Sequence, residues 1–483
     1  MHLKKVKYVL LSLIFINLTS CATTKVNEFY NNLAPLIEQQ NISGAVSFAE
    51  DFYKNCDKYN KLLYSLELAF LYHLNKDYKN SNTFFEHAKY LYSLKDYTST
   101  IFNNDTLLPK YYLGENFEMA YTNFFCALNY IKLRKRNEAV VEARQTNNLF
   151  NKIKIDDENN IYKDDPFIRY FMGLVYQNAG YLNDAMVSYK LALRAYEDYN
   201  IAQENVPEDL INNLYNVYKY YSLNEEAEIL KQKYPYVKET NFKTDGNLFI
   251  INYNGLAPKR TELVVTVPLD EAWRKYYKRD NDYRYKVMRE FDLYYISASF
   301  PKYEKYPNEI VSFDVEAVPE DDETQKFKYK SYPATDISLI MEKILDINYK
   351  TTFYSRINSY VLGLKEIEEV EYLYGQKKAE ILTDPRMKKN REKLLEDLEK
   401  ETERKIYDIK RGLDNLNSVD LKSWRSIPEK VNMAKINLKP GKYNIIIKYL
   451  DEFDNIVEIE KKKIKIRKGR NRFLILKSYK EPI

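Results

Sequence analysis

Small and aromatic residues recur at fixed offsets in the first half of the chain, and this repeat constrains the fold more than any other feature. The clearest copy runs from Asp165 to Tyr196, with Gly180 near its middle. Its other marked positions are Gly173, Tyr176, Ala185, Tyr189 and Ala192. Small residues at these offsets let two helices touch, aromatic residues fill the gap beside them, and a glycine fits the turn between them. The pattern therefore predicts a helix pair.

Two further segments carry parts of the same pattern. The earlier segment consists of Ala69, Tyr72, Tyr78, Ser81, Phe85 and Ala88. The later segment consists of Ala127, Tyr130, Ala139, Ala143 and Thr146. All three copies match the tetratricopeptide (TPR) helix pair, but they lie further apart than the about 34 residues of a regular TPR array. We therefore expect a short, irregular TPR-like α-superhelix over residues 40–238.

Stacked helix pairs of this kind leave a concave face. On the TPR register, the residues turned toward that face are Leu66, His73, Tyr121, Phe124, Lys132, Tyr170, Gln177 and Asn178. They either line a groove for a peptide or partner helix, or pack against later segments of the same chain. His73 and His87 are interpreted as packing residues, and neither a metal nor a cofactor is predicted.

Beyond Pro235 the hydrophobic pattern changes to short β-branched and aromatic runs. The predicted strands are Leu248–Tyr253, Glu262–Val267, Phe291–Ser299, Glu309–Glu316, Asn432–Leu438, Lys442–Tyr449, Ile456–Ile466 and Arg472–Lys477. Asn254-Gly255 predicts a tight turn, because both residues tolerate a positive φ. The two blocks of antiparallel strands indicate one sandwich or two small sheets, over residues 244–333 and 418–483. The fold class is α+β, with a TPR-like superhelix followed by an antiparallel β-rich domain.

Residues 334–417 form a helical insertion between the two strand blocks. Its later part, Lys388–Lys410, mixes many charges with apolar residues at helical spacing. Such a helix either recruits a partner helix as a projecting arm or folds back on its neighbour. The tail Lys461–Arg472 holds eight basic residues in twelve. These charges either protect an edge strand from aggregation or meet anionic envelope polymers or lipid headgroups.

The first 20 residues have the composition of a secretory signal. A basic start precedes an apolar run from Tyr8 to Leu18, which is too short to span a bilayer as a mature helix. The sequence Leu18-Thr19-Ser20-Cys21 resembles the bacterial lipobox, which implies cleavage before Cys21 and lipid attachment to it. Residues 21–39 would then be a tether. The alternative is an ordinary signal peptide or a packed N-terminal helix.

Removal of the signal changes both the charge and the cysteine count. The formal net charge of +5 includes three lysines of the signal, so 72 basic and 70 acidic residues remain, and no nucleic-acid partner is expected. Cys56 and Cys126 either form a disulfide or are two small buried residues. By analogy with enteric lipoproteins, Ala22 after Cys21 favours the outer membrane. The expected location is the cell envelope, anchored by lipid and facing the periplasm.

Several short blocks spread along the chain carry a resemblance to a known family. Besides the lipobox, these blocks are Phe117-Glu118, Ala127–Tyr130, Glu142–Arg144, Pro166-Phe167, Asn254–Pro258, Thr335–Ile337 and Asp420–Pro428. Together they resemble an uncharacterised family of TPR-containing bacterial lipoproteins with a β-rich C-terminal module. The resemblance implies an architecture and a lipid anchor, and it carries no activity. The charged helix from about Gln376 to Asn417 departs from the family pattern.

The sequence favours a binding protein over an enzyme. It contains no G-x-S-x-G elbow, no H-E-x-x-H motif and no Walker-type loop. The leading hypothesis is a lipid-anchored envelope scaffold that binds an unidentified envelope protein through its repeats. The alternatives are a regulator or activator of cell-wall synthesis and a periplasmic glycan hydrolase that uses a carboxylate pair.

Overall fold

The first half of the chain is helical. The computed structural model describes residues 20–94, 111–156, 160–198, 206–239, 246–268, 295–416 and 420–480. The helices of the first half are α1 Ser20–Glu38, α2 Ile42–Asn55, α3 Lys61–Leu74, α4 Tyr78–Ser93, α5 Asn116–Lys132, α6 Arg136–Asp156, α7 Pro166–Ala179, α8 Leu182–Asp198, α9 Glu208–Tyr220 and α10 Asn224–Lys233. Successive helices pack on one another as helix pairs. The predicted α-superhelix is confirmed.

The three predicted repeat copies are the pairs α3–α4, α5–α6 and α7–α8. Gly173 of α7 faces the ring of Tyr189 on α8, and a Cβ at residue 173 would lie 2.3 Å from that ring. Gly180 adopts a left-handed conformation with φ 91° at the turn. The repeat signal therefore marks helix contacts and turns. It does not mark the pairs α1–α2 and α9–α10, which extend the superhelix at both ends.

Helix α1 occupies the segment that the sequence analysis assigned to a tether. Its apolar residues Val26, Phe29, Leu33 and Ile37 are buried at helical spacing. The segment is held in place because this apolar stripe packs on α2 and α3 and joins the main core. Residues 1–19, which include most of the predicted signal, lie outside the described residues.

The second half contains two sheets and a hairpin. The strands are β1 Gly246–Asn254, β2 Lys259–Pro268, β3 Tyr295–Glu304, β4 Ser312–Pro319, β5 Phe327–Lys330, β6 Tyr332–Asp336, β7 Lys430–Leu438, β8 Gly441–Leu450, β9 Ile456–Ile466 and β10 Asn471–Ser478. One sheet has the order β10-β1-β7-β6 and the other the order β5-β4-β8-β9. Strands β2 and β3 pair with each other in a separate antiparallel hairpin.

The two four-stranded sheets form a sandwich, and the first of them also packs on the helices. Leu248 and Ile250 of β1 belong to the core between the sheets, together with Val315 and Ile447 of the second sheet. The alternate residues of β1, such as Phe249, belong to the core shared with the helices. The molecule is therefore built in three layers, with the first sheet in the middle.

The turn at Asn254-Gly255 does not produce a hairpin between β1 and β2. Gly255 has φ 70°, as the turn requires, but β1 pairs with β7 on one side and, in parallel, with β10 on the other. Both edges of β1 are thus filled by strands from the end of the chain. Strand β2 leaves the sheet because no edge of β1 remains for it.

The helical insertion forms a long hairpin. Helix α11 spans Ile337–Thr383, a 3₁₀ turn spans Pro385–Asn390, and helix α12 spans Arg391–Leu416 and packs back along α11. The start of α11 is buried in the main core through Ile340 and Met341. Of the two alternatives for Lys388–Lys410, the structure shows the one in which this segment folds back on its neighbour. Within the described residues, no helix is both long and apolar enough to cross a membrane.

Substitution of Gly173 by alanine should lower the free energy of unfolding by about 1–3 kcal/mol, because the added Cβ would overlap the buried ring of Tyr189. The matched control is Gly375→Ala on α11, where an added Cβ would meet nothing within 4 Å. Alanine there should leave stability unchanged or raise it, because alanine favours helix. Urea denaturation monitored by circular dichroism measures both effects. Equal stability of the two variants would contradict the assigned helix contact.

Candidate functional site

The concave face of the superhelix is covered by the first sheet. Leu66, Tyr121, Phe124 and Tyr170 are fully buried and His73 is nearly so. The remaining predicted residues, Lys132, Gln177 and Asn178, are half-buried. His73, Tyr121 and Lys132 hydrogen-bond to the first sheet, so for them packing against later segments of the chain is the alternative that describes their contacts. Gln177 instead accepts a hydrogen bond from Tyr189 of its own helix pair.

Three hydrogen bonds join the concave face to strands of the first sheet. His73 Nε2 lies 2.9 Å from the hydroxyl of Tyr253 on β1, and the Tyr121 hydroxyl lies 3.1 Å from Thr335 Oγ1 on β6. Lys132 Nζ donates to the carbonyl oxygen of Phe473 on β10 at 2.9 Å. These contacts fix the sheet to the repeats and leave no open groove at these positions.

Burial keeps His73 uncharged at neutral pH. Its Nδ1 lies 2.5 Å from Asn129 Oδ1, and burial lowers the pKa of the imidazole to about 4. A neutral imidazole held between an amide and a phenol serves as a hydrogen-bonded core residue. His87 packs by its ring against Tyr53 at a centroid distance of 6.5 Å. Both histidines thus have packing contacts, as the sequence analysis predicted.

A short connection after the helical hairpin inserts an aromatic side chain into the repeats. We call residues 420–428 the tryptophan segment. Trp424 is 1% exposed and its ring lies 6.0–6.1 Å from the rings of Phe70, Phe85 and Phe125. Its Nε1 donates to Ser426 Oγ at 3.1 Å, so the indole N–H is satisfied inside the core. The segment therefore joins the repeats to the sheet by a buried side chain.

A buried carboxylate holds the backbone of this segment. Glu67 Oε1 of α3 accepts hydrogen bonds from the backbone N–H groups of Arg425 at 2.8 Å and Ser426 at 3.4 Å. The Tyr30 hydroxyl lies 2.5 Å from the same oxygen, and the Arg425 guanidinium stacks over the Tyr30 ring at 4.2 Å. Burial raises the pKa of the Glu67 carboxyl, while its hydrogen bonds act in the opposite direction. Helix α1 and the tryptophan segment are therefore held by one acidic side chain.

A second polar cluster joins the β2–β3 hairpin, the repeats and the tryptophan segment. Arg260 of β2 donates to Glu115 Oε1 at 3.0 Å, to the Tyr303 hydroxyl at 2.8 Å and to the Lys422 carbonyl oxygen at 3.2 Å. Glu115 also caps α5 in a reciprocal arrangement with Glu118. Burial raises the pKa of the Glu118 carboxyl to about 7. The Arg260 guanidinium is therefore largely buried against its hydrogen-bond acceptors.

A third polar cluster lies between α7, α9 and the sheet. The Tyr170 hydroxyl donates to Asp209, and Asn213 Nδ2 donates to the Tyr170 hydroxyl at 3.1 Å. Lys435 of β7 reaches the same place and donates to Asn213 Oδ1 at 2.6 Å. Burial lowers the pKa of the Lys435 ammonium to about 8, and Asp209 partly counteracts this. The predicted groove residue Tyr170 is thus part of an internal network.

One group of acidic and thiol side chains has the spacing of metal ligands. The ligand atoms of Glu86, Cys126 and Glu142 lie within 4.8 Å of one another. Lys89 Nζ lies 2.7 Å from Glu86, 2.8 Å from Glu142 and 3.0 Å from Gln145 Oε1. The ammonium thus already supplies the cation that these carboxylates need. Cys126 is buried, and neither it nor Cys56 is in a disulfide.

The helical hairpin carries a set of exposed apolar side chains. We call the part of this hairpin beyond Ile367 the arm. Its exposed apolar residues are Tyr372, Leu373, Leu382, Leu394 and Tyr407, and Tyr372 is 65% exposed. Leu395, Leu398 and Ile406 of α12 are half-buried, because they face α11. The two helices of the arm therefore pack through a narrow strip of half-buried side chains, and the apolar side chains on the outer surface of the arm face solvent.

Sequence reasoning identified the concave face but missed the charged residues that bind it to the rest of the chain. Glu67 and Lys435 are charged residues between apolar neighbours, and such a residue is a signal for a buried partner, whereas Arg260 follows Lys259 in a polar stretch that gives no such signal. The Glu115-x-x-Glu118 spacing before an apolar run was a further signal, since it marks a helix start. The partners themselves come from distant parts of the chain.

Comparisons with known proteins add structural neighbours at low similarity. Neither the protein-family models nor the curated proteins gave a match. Among solved structures, 43% of the chain aligns with 68% of RapI at 13% identity and a TM-score of 0.31. A kinesin light chain of Podosopora anserina with nearly identical TPR-like repeats aligns over 92% of its length, covering 43% of this chain, at 14% identity and a TM-score of 0.30. MamA AMB-1 aligns over 90% of its length and 44% of this chain at 16% identity and 0.27. At these values the fold assignment rests on the helix pairs described above.

Glu118 should make stability fall as pH rises. Because its pKa is about 7 in the folded state and near 4.5 in the unfolded state, the folded state binds more protons between these values. The free energy of unfolding contributed by this group therefore decreases from about pH 4.5 to about pH 7, by up to about 3 kcal/mol. Glu118→Gln should flatten this part of the pH profile.

Urea unfolding at pH 5 and pH 7 measures the difference. The control is Glu323→Gln, which removes an exposed carboxyl from the turn between β4 and β5. That variant should keep the wild-type profile. An unchanged slope in Glu118→Gln would show that the carboxyl is not the group responsible.

Proposed function

We propose that this protein is a lipid-anchored scaffold of the bacterial cell envelope that binds a partner protein through the arm. The observation that carries the proposal is the set of exposed apolar side chains on a helical hairpin whose root is fixed in the core. A scaffold needs a rigid attachment and an accessible contact surface. The buried start of α11 supports the first requirement, and exposed Tyr372 and Leu373 support the second.

The geometry of the arm favours a helical or groove-bearing partner. From Ile367 to Thr383, α11 extends about 24 Å at 1.5 Å per residue, and α12 returns alongside it. Ion pairs such as Lys400–Glu396 at 2.7 Å and Lys405–Glu401 at 2.8 Å lie along α12. Apolar side chains flanked by mixed charges suit helix-to-helix pairing, in which the apolar residues supply the contact and the charges select the partner.

The concave face is not the proposed partner surface, although concave TPR faces commonly bind peptides. Its side chains already contact β1, β6, β10 and the tryptophan segment. A partner in that place would have to displace the first sheet and expose the core that both layers share. The repeats are therefore assigned the role of a support that positions the arm relative to the membrane.

The anchor part of the proposal rests on the sequence around Cys21. An apolar run followed by small residues and a cysteine resembles a lipobox. Cys21 falls at the start of α1, and α1 packs into the core from Val26 onward. Lipid at that cysteine would therefore be joined directly to the folded body. Two acyl chains suffice for stable membrane attachment.

Cys21→Ser should abolish lipid labelling, because the thioether needs the cysteine sulfur. We expect wild-type cells fed with labelled palmitate to yield a labelled band, and the variant to yield none and to leave the membrane fraction. Cys56→Ser is the matched control, since Cys56 is half-buried in the folded protein, and it should retain the label. Persistence of palmitate on Cys21→Ser would refute the anchor.

Removal of apolar side chains from the arm should release the partner. In Tyr372→Ser/Leu373→Ser, crosslinking in intact cells should recover at least about tenfold less of the protein captured by wild type, since tyrosine is enriched among the few residues that carry most of the binding energy of an interface. Ile155→Ser/Ile229→Ser removes apolar residues of the repeats that are at least as exposed, and it should leave recovery unchanged. Equal recovery from both variants would place the interface elsewhere.

A further inference from the structure

Five basic side chains from three separate turns converge at one edge of the superhelix. Lys76 lies in the turn between α3 and α4, Lys132 and Arg136 flank the turn between α5 and α6, and Arg470 and Arg472 flank the start of β10. We call these five residues the turn cluster. They come from segments far apart in sequence, so their proximity is a property of the fold.

One hydrogen bond joins two of these turns, and a second fixes one of them to the first sheet. Lys132 Nζ donates to the Phe473 carbonyl oxygen at 2.9 Å, which joins the end of α5 to β10 beside Arg472. The Asn247 backbone N–H donates to the Arg470 carbonyl oxygen at 3.1 Å, which fixes the β9–β10 turn against β1. The positions of Arg470 and Arg472 relative to α5 and α6 are therefore set by the sheet.

The positive charges repel one another. After burial, Arg472 and Lys76 are the next causes that lower the pKa of Lys132, which falls to about 8. In the same way Arg470 adds to burial in lowering the pKa of Arg136. Like charges at this range destabilise the folded state unless an anion lies between them.

Within the part of the chain that the structure describes, no carboxylate forms an ion pair with a member of the turn cluster. The neighbouring acidic residue Asp77 is engaged in capping α4 through Asn80. Strand β9 differs, because its Lys462 pairs with Glu460 and its Lys463 lies 3.4 Å from Glu320. The edge-strand lysines thus have internal counter-charges, whereas no described carboxylate pairs with the turn cluster.

We propose that the turn cluster is a binding site for a phosphate-bearing polyanion. Three of its five members are arginines, whose planar guanidinium groups match phosphate oxygens in pairs. Arg136, Arg470 and Arg472 are exposed, so the ligand reaches them without displacing protein. The half-buried Lys132 at the base adds a charge that solvent screens less.

The turn cluster and the proposed membrane anchor at Cys21 lie at opposite ends of the helices. His73 near the end of α3 contacts Asn129 near the end of α5, so the ends of these two helices lie at the same edge. Ser43 at the start of α2 contacts Asn75 at the end of α3, so the α1–α2 turn lies at the same edge. Cys21 is at the opposite end of α1, about 26 Å away along the helix. The ligand is therefore assigned outside the bilayer that would hold Cys21, and the site itself does not depend on lipid attachment.

The test measures binding of fluorescently labelled polyphosphate to the full chain carrying Cys21→Ser, by fluorescence anisotropy at about 0.15 M salt. The chain with an intact turn cluster should bind polyphosphate saturably, and this binding should weaken as the salt concentration is raised. Arg136→Gln/Arg470→Gln should weaken binding about tenfold and make it less dependent on salt. Both arginines are exposed, so this variant should keep the thermal stability of the parent.

The matched control is Lys462→Gln/Lys463→Gln, which removes the same amount of charge from β9, the strand that precedes β10 in the chain. It should change affinity less than about twofold, because those lysines are already paired with carboxylates. Equal weakening in the two double variants would reduce the site to general electrostatic attraction and overturn the proposal. Absence of polyphosphate binding by the parent would also overturn it.

Two competitors distinguish the source and the chemistry of the anion. Polyglutamate at equal charge should compete poorly, and equal competition would refute the preference for phosphate. Phosphatidylglycerol vesicles at equal phosphate should displace less polyphosphate than free unlabelled polyphosphate does. Displacement by vesicles at least as strong as by free polyphosphate would show a membrane surface as the ligand, against the proposal.

Discussion

The packing of the concave helical face against the first sheet is the interaction on which the rest of the structure depends. Each layer presents a surface of aromatic and aliphatic side chains that would be unstable in water by itself. Phe124 and Phe171 of the helices and Phe249 and Phe473 of the sheet are joined in one series of ring contacts. The helical half and the strand half therefore share one hydrophobic core.

Buried charge gives this packing its specificity. Glu67, Arg260 and Lys435 each connect an element of one half of the chain to an element of the other by hydrogen bonds. A shifted arrangement of the two halves would leave these groups buried without partners, which costs more than a lost apolar contact. The turn cluster differs from these interior charges, because none of the described carboxylates forms an ion pair with its cations.

Local patterns in the sequence identified local structure. The offsets around Gly173 and Gly180 predicted the α7–α8 pair, and runs of β-branched and aromatic residues predicted eight of the ten described strands, because helix contacts and strand burial leave periodic traces. The short strands β5 and β6 were missed, and β6 lies partly in the segment predicted as the helical insertion. Strand neighbours leave no such trace. Asn254-Gly255 indicated a turn, yet the choice of β7 and β10 as partners of β1 depends on segments at the other end of the chain. The TPR register likewise identified which residues form the concave face, but a register contains no information about what covers it.

The parallel pairing of β1 with β10 makes the completion of the fold depend on the end of the chain. Asn252 and Ser478 are hydrogen-bonded although they are 226 residues apart. Until β10 arrives, β1 has one open edge and the helices lack the Phe473 side of their core. Formation of such long-range contacts is slow, and the exposed strand edge meanwhile favours aggregation. In a chain that crosses a membrane N-terminus first, the helical repeats would emerge before the strands. Their concave face would then stay exposed until the first sheet forms. If this chain is exported as proposed, the order of translocation, as much as the final structure, would determine when this surface needs protection.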